Sequence, residues 1–322
     1  MHGASLSLAL AKVIVVSSPT VAQVRPADRH VIKDLLFQLP DLDQRDWAHI
    51  SDIIDGIPEG STEQIIAELR HFIATDENWN TAAYALERVF AGIPRVALSA
   101  ELIETVLEAI ATEPPPACLA PLGTLVEDSL MLRLGASRIL PDDLDSLREL
   151  VRERTGRWLA HDTARALSAE ELNRLCLEGT LISLVAHADG KVDNPEMRVC
   201  REFLCRIWGL AQSEAEFVLN VSLNEPFDGF DVLRVCRWLF ELTTPHERLR
   251  FLRLLFELAC VDDDLSEPEL DSLISVAANL RVEQEQFHEL FLEYGGVETP
   301  PPSLRPSRWP GPWTDGRGRP QG

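Results

Sequence analysis

The sequence predicts an all-α protein on three observations. Apolar residues recur at three- and four-residue intervals along most of the chain, strict alternation hardly occurs, and capping boxes stand ahead of several apolar runs. With 322 residues there is room for two ordinary domains, each able to bury its own core.

Residues 1–25 are the ambiguous part and remain an unassigned amino-terminal segment. Val13–Val16 is the one β-like run in the chain. Leu6–Val16 is apolar, but Lys12 interrupts it and no clear positive segment precedes it, so a signal peptide is the weaker reading.

From Asp28 onward helices follow one another, broken at Pro40, at Gly56 with Pro58 and Gly60, and at Gly92 with Pro94. Residues 26–132 thus read as a helical domain of unknown type. Ser61–Gln64 is a capping box, and Ile65, Ile66, Leu69, Phe72 and Ile73 share one face of the helix behind it. Helices are expected over Ser61–Thr75, Trp79–Ala91, Ala100–Ala111 and Ala117–Leu132, with Pro114–Pro116 as a turn. They would pair as two hairpins, either stacked in the manner of HEAT repeats or gathered into a plain bundle. No side-chain repeat supports stacking, which favours the bundle. Residues 133–165 read as a charged helical linker whose helix starts at Pro141.

Residues 166–294 are punctuated by Ser168 with Glu171, Ser213 with Glu216, Thr244 with Glu247, and Ser266 with Glu269. Asp193 with Glu196 adds another cap, and Asp231 and Glu283 bring the helix starts to seven. Pro195, Pro245 and Pro268 fall in first turns, where a missing N–H does no harm. Residues 295–322 are rich in proline, glycine and arginine and are expected to be disordered. Arg305, Arg308, Arg317 and Arg319 there oppose the acidic body, and Trp309 and Trp313 are candidate anchors for a partner.

The strongest signal in the chain is a repeat. Ala186–Glu196 (AHADGKVDNPE) aligns without a break on Ala259–Glu269 (ACVDDDLSEPE) at an offset of 73 residues. In both copies an apolar helix ends in an acidic turn and a capped amphipathic helix begins. The feeding helices, Leu172–Ala188 and Leu249–Val261, are apolar nearly all round, so both are expected at the centre of a pseudo-symmetric bundle.

On these residues the carboxy-terminal half resembles the TerB-like tellurite-resistance family, whose hallmark is two copies of A-x-A-D-G-x-[VI]-x-x-x-E at helix–helix corners. Ala186, Ala188, Asp189, Gly190, Val192 and Glu196 match the first copy in full. The second departs from it, with Val261 for alanine and Asp263 for glycine. The resemblance implies a helical bundle of about seven helices. It also implies a role in tellurite resistance or stress response as a metal-binding or adaptor module, sometimes near membranes. A membrane-anchored co-chaperone shares the domain, but no His-Pro-Asp signature occurs in this chain, so that role is not implied.

The corner carboxylates are hard oxygen donors suited to calcium or magnesium: Asp189, Asp193, Glu196, Asp262, Asp263, Asp264 and Glu269, with Glu267 beside them. They do not form an EF-hand, because Cys200 and Leu273 stand where a bidentate glutamate is required. Helix capping accounts for several of the same residues, so a cation site and a set of caps both remain open. His187 is two residues from Asp189, but Cys260 replaces it in the second copy, and it reads as a surface or core histidine.

Thirty basic against 52 acidic side chains give a net charge of −22, which repels nucleic acid and suits basic protein partners or cations. The six cysteines lie in apolar runs with no C-x-x-C pair, as in a reducing compartment, and a cytoplasmic protein is expected. No uninterrupted apolar run reaches the roughly 18 residues of a membrane span, so membrane contact would be peripheral and through a partner. No nucleophile with its base, P-loop or dinucleotide fingerprint is legible, and an enzyme is not expected. The expected role is that of an acidic adaptor with an unidentified protein partner; the alternative is a helical interaction scaffold that binds no metal.

Overall fold

A computed structural model describes residues 5–25, 28–56, 60–91, 100–136, 168–188, 194–212, 232–261 and 265–294, with isolated positions at 215–216, 219, 314–315 and 319–320. Apart from a two-residue antiparallel pairing of Thr314–Asp315 with Arg319–Pro320, the regular elements among these residues are helical. The chain divides into two compact units, Met1–Asp143 and Leu144–Gly322.

The first unit holds α1 (Leu6–Ser17), α2 (Pro19–Gln23), α3 (Arg29–Leu36), α4 (Gln44–Asp55), α5 (Thr62–Phe72), α6 (Asp76–Phe90), α7 (Ala100–Thr112) and α8 (Ala120–Ala136), with a 3₁₀ turn at Ala117–Leu119 before α8. Helices thus begin well before Asp28, and the β-like run Val13–Val16 is helical. The reason is tertiary. Helix α1 packs against α4, α5, α6 and α8. Its Leu8, Leu10, Val13, Ile14 and Val15 are all buried, so burial on every side outweighs the modest helical cost of β-branching. Ser5 caps its first turn by accepting from the Leu8 N–H at 3.1 Å. Lys12, the polar interruption in this run, reaches out to Glu68 at 2.9 Å.

Helix α1 packs on α5, α6 and α8, and α6 packs on α7, so these helices gather round a central one; the expected pairing of α5 with α6 as a hairpin is not among the principal helix contacts, and the helices do not stack as a solenoid. The seam between α1 and α8 needs Gly123, where a Cβ would stand 2.5 Å from the Ser17 carbonyl oxygen. Just beyond it Ser18 donates to Glu127 at 3.2 Å. The Ser61 capping box forms as expected, with the Gln64 side chain accepting from the Ser61 N–H.

The second unit holds α9 (Ala169–Ala186), α10 (Asn194–Trp208), α11 (Val232–Leu242), α12 (Pro245–Ala259), α13 (Glu267–Asn279) and α14 (Gln284–Glu293). Capping boxes start α9 at Ser168, α12 at Thr244 and α13 at Ser266. The expected start at Ser213 and the cap residues Asp193 and Asp231 lie outside the described residues, as do most of the expected linker and tail. Helix α9 packs on α11, α12 and α13, while α12 packs on α9, α10, α13 and α14. The two helices that feed the acidic turns are therefore the central ones. Their Leu177, Ile182 and Val185, and Leu252, Leu255 and Phe256, are buried in one core with Trp208, Trp238, Phe203 and Leu273.

Candidate functional site

The helix ends that open the two copies of the repeat share their geometry. Helix α9 ends on His187 (φ −96°, ψ 4°), whose N–H donates to Ser183 and Val185 carbonyls. Helix α12 ends on Cys260 (φ −107°, ψ 15°), whose N–H donates to Phe256 and Leu258 carbonyls. Each of these residues is offset by 73 from its counterpart, and so are the first residues of the following helices, Asn194 and Glu267. The acidic turns therefore leave equivalent helix ends in equivalent cap conformations and enter equivalent helix starts.

Of the expected ligands, Asp189, Asp193, Asp262, Asp263 and Asp264 lie outside the described residues. Glu196 is in the first turn of α10, and its side chain is likewise outside them. Glu269 is described in full. It is buried, accepts from the Ser266 N–H at 2.9 Å through Oε2, and completes a capping box. Glu267 is exposed in the same turn. Among the described residues no group of three or more His, Cys, Asp or Glu is placed to hold a metal ion. His187 turns Nδ1 back onto the Ser183 carbonyl at 2.9 Å, which gives it a local capping role.

At the other end of these helices is a polar cluster that sequence reasoning passed over. Glu178, in the middle of α9, is 1% exposed at its side chain. Its Oε1 accepts from Arg174 Nε at 2.8 Å and its Oε2 from the Trp208 indole N–H at 2.9 Å. The second arm of Arg174 donates to Glu247 at the start of α12, and its guanidinium lies 5.4 Å from the centre of the Trp208 ring. Glu247 in turn closes the capping box by accepting from Thr244 N–H and Oγ at 2.9 and 2.8 Å. One guanidinium thus serves two carboxylates, and three helices meet on it.

Burial pushes the Glu178 carboxyl above its ordinary range, against the pull of Arg174 and Trp208. Glu247 goes the other way. Burial opposes the shift, but the Thr244 N–H, Arg174 and the Thr244 hydroxyl together hold it down to about 2. Arg174 and Glu247 are themselves offset by 73 residues, so the ion pair joins equivalent positions and marks where the two halves of the repeat meet. The signal available in the sequence was a lone glutamate inside an apolar helix with an arginine four residues before it.

A second buried cation lies nearby in sequence. Arg248 of α12 donates to the Thr243 carbonyl at 2.6 Å and sits 4.2 Å above the Phe240 ring, closing the carboxy-terminal end of α11. Burial lowers its pKa to about 10. Among the described residues no helix is long and apolar enough to cross a membrane.

Comparison with known proteins adds one finding. Residues 179–291 match the family described as Tellurite resistance protein TerB, from within α9 to within α14. Neither a curated protein nor a solved structure matches the chain.

Proposed function

We propose that this chain, whose carboxy-terminal half carries a TerB domain, is a cytoplasmic acidic adaptor of the tellurite-resistance or stress-response kind that binds a divalent cation, calcium or magnesium, at its duplicated corners. The reading is of a binding protein and not an enzyme. Its protein partner carries basic charge to match the net −22 of the chain, and any membrane contact is made through that partner.

The observation that supports the proposal is the matched pair of helix ends ahead of the two corners. Equivalent caps at His187 and Cys260 are followed in the sequence by Asp189, Asp193 and Glu196 in one copy and by Asp262, Asp263, Asp264 and Glu269 in the other. Carboxylates repeated at equivalent turns repel one another unless a cation relieves them, and helix capping alone calls for only one or two of them per turn. Calorimetric titration of the full chain with calcium, then magnesium, tests the reading. Binding should raise the melting temperature by mass action, and Asp189→Asn with Asp262→Asn should abolish both effects while leaving the fold intact. A wild-type chain indifferent to both ions overturns it.

A second reading, a helical interaction scaffold without metal, is favoured by one residue. Glu269 is buried and already spends an oxygen on the Ser266 N–H, which is what a pure cap does. Under that reading the two Asn substitutions shift stability by only about 0.5 kcal/mol, with or without added ion.

A further inference from the structure

The cluster where the repeats meet has an unequal charge count. Arg174 brings one positive charge to two carboxylates, and the Trp208 indole is neutral, so these four side chains carry a net charge of −1 when both acids are ionised, with Arg248 of α12 acting on Glu247 from outside the group. The better buried acid, Glu178, has its two oxygens held by donors from different helices. Arg174 is on α9 itself and Trp208 is on the last turn of α10. The charged groups acting on Glu178 are Arg174 and, from α12, Glu247. The other helices packed on α9 bring Arg234, Arg237 and Glu241 on α11, and Glu267, Glu269 and Asp271 on α13. Of these, Arg237 donates to Glu241 at 2.8 Å and Glu269 turns back on Ser266.

We propose that Arg174, Glu178, Glu247 and Trp208 form a proton-operated latch, in which uptake of one proton at Glu178 hands Arg174 to Glu247 and loosens the tie between α9 and the end of α10. Three physical steps lead there. First, the excess charge belongs to the group as a whole, and Glu178 is where a proton relieves most, because an ionised carboxylate in that position has lost its water and receives only part of one cation. Glu247 is about a third exposed and keeps its capping bonds, so it stays ionised and takes over Arg174. Second, the Trp208 N–H then donates to a neutral acid, and a neutral acceptor forms a bond roughly half as strong as a charged one. Third, Trp208 sits on the last turn of α10, the helix that leaves the first acidic corner, so what weakens is the far anchor of that helix. Protonation of Glu178 is coupled to Glu247 through the shared guanidinium, and the titration belongs to the cluster.

The test is the indole N–H signal of Trp208 in the full-length protein, followed by ¹⁵N NMR from about pH 4 to 8 and identified by its loss in Trp208→Phe. On lowering the pH the signal should move upfield, as the bond weakens, with one inflection above 4.5, the ordinary glutamate value. In Glu178→Gln, which keeps the shape and an acceptor oxygen, the signal should stay fixed across the range. In Glu247→Gln the inflection should move to lower pH, because Arg174 then serves Glu178 alone. A wild-type signal without an inflection above 4.5 overturns the proposal. So does an inflection that survives in Glu178→Gln, or one that does not move in Glu247→Gln.

Discussion

Replacing Arg174 with methionine separates an electrostatic clamp from a packing contact, because methionine retains most of the stem and none of the charge. Glu178 is 1% exposed and would keep only the Trp208 N–H, at 2.9 Å. Removing one partner of a buried pair costs about 3–5 kcal/mol while the remaining charge stays ionised. Loss of the cation over the Trp208 ring adds about 0.5–1 kcal/mol. Protonation limits that cost, since an orphaned Glu178 escapes by taking a proton. The limit rises by about 1.4 kcal/mol for each unit by which the pH is raised. The substitution should therefore be markedly more damaging at pH 8 than at pH 6. Hydrogen exchange of α9 amides in the full chain, read by mass spectrometry at both values, gives the local opening free energy directly. Adding Glu178→Gln to the variant should recover much of the loss at pH 8 and little at pH 6. A penalty under about 1 kcal/mol at neutral pH, or one equal at the two pH values, would refute the buried-charge argument.

Three further outcomes are expected. Gly123→Ala, which in a free helix would gain about 1 kcal/mol, should instead cost about 1–3 kcal/mol, because the new Cβ meets the Ser17 carbonyl at 2.5 Å; a rise in melting temperature would show that α8 can shift away from α1. Arg248→Met should destabilise the second unit by about 2–4 kcal/mol in urea titration, since it strips the charged donor from the Thr243 carbonyl, and Arg248→Lys should recover only part of this. Glu247, held down to about 2, contributes stability that is fully present above 4.5 and lost as pH falls towards 2. Glu247→Gln should accordingly flatten the acid limb of the melting curve between those values. Glu178, raised by burial, acts with the opposite sign: its contribution declines as pH rises through the window above 4.5.

Local chemistry made much of this architecture readable. Ser61, Ser168, Thr244 and Ser266 each announce a helix start because the capping box is a contact between residues three apart, and all four form. The central placement of α9 and α12 was legible for a related reason, since a helix apolar on every face has to be covered on every face. Helix α1 shows the limit of the same logic. Four consecutive β-branched or valine positions suggest a strand locally, and only the ring of α4, α5, α6 and α8 around them decides for helix. Of the Arg174 cluster only the pair Arg174 and Glu178, four apart, leaves a local pattern; Glu247 and Trp208 stand 73 and 30 positions from their partners, and a pairing across a seam leaves none. The corner carboxylates were legible as a repeated motif, although most of them lie outside the described residues.

The 73-residue offset also separates what the two copies kept from what they changed. The helix ends and their cap geometry coincide, and the acidic residues that follow them in the sequence recur at the same offset. At the seam the copies diverge. Arg174 corresponds to Glu247, which turns two equivalent positions into an ion pair, and buried Glu178 corresponds to buried Phe251. Like residues at both equivalent positions would have set two like charges against each other there, at a cost that rises as the seam is buried. A duplicated hairpin that packs against its own copy must break symmetry wherever equivalent side chains meet. Arg174 with Glu247 is that place in this domain, and the excess carboxylate of Glu178 is what the break left in the core.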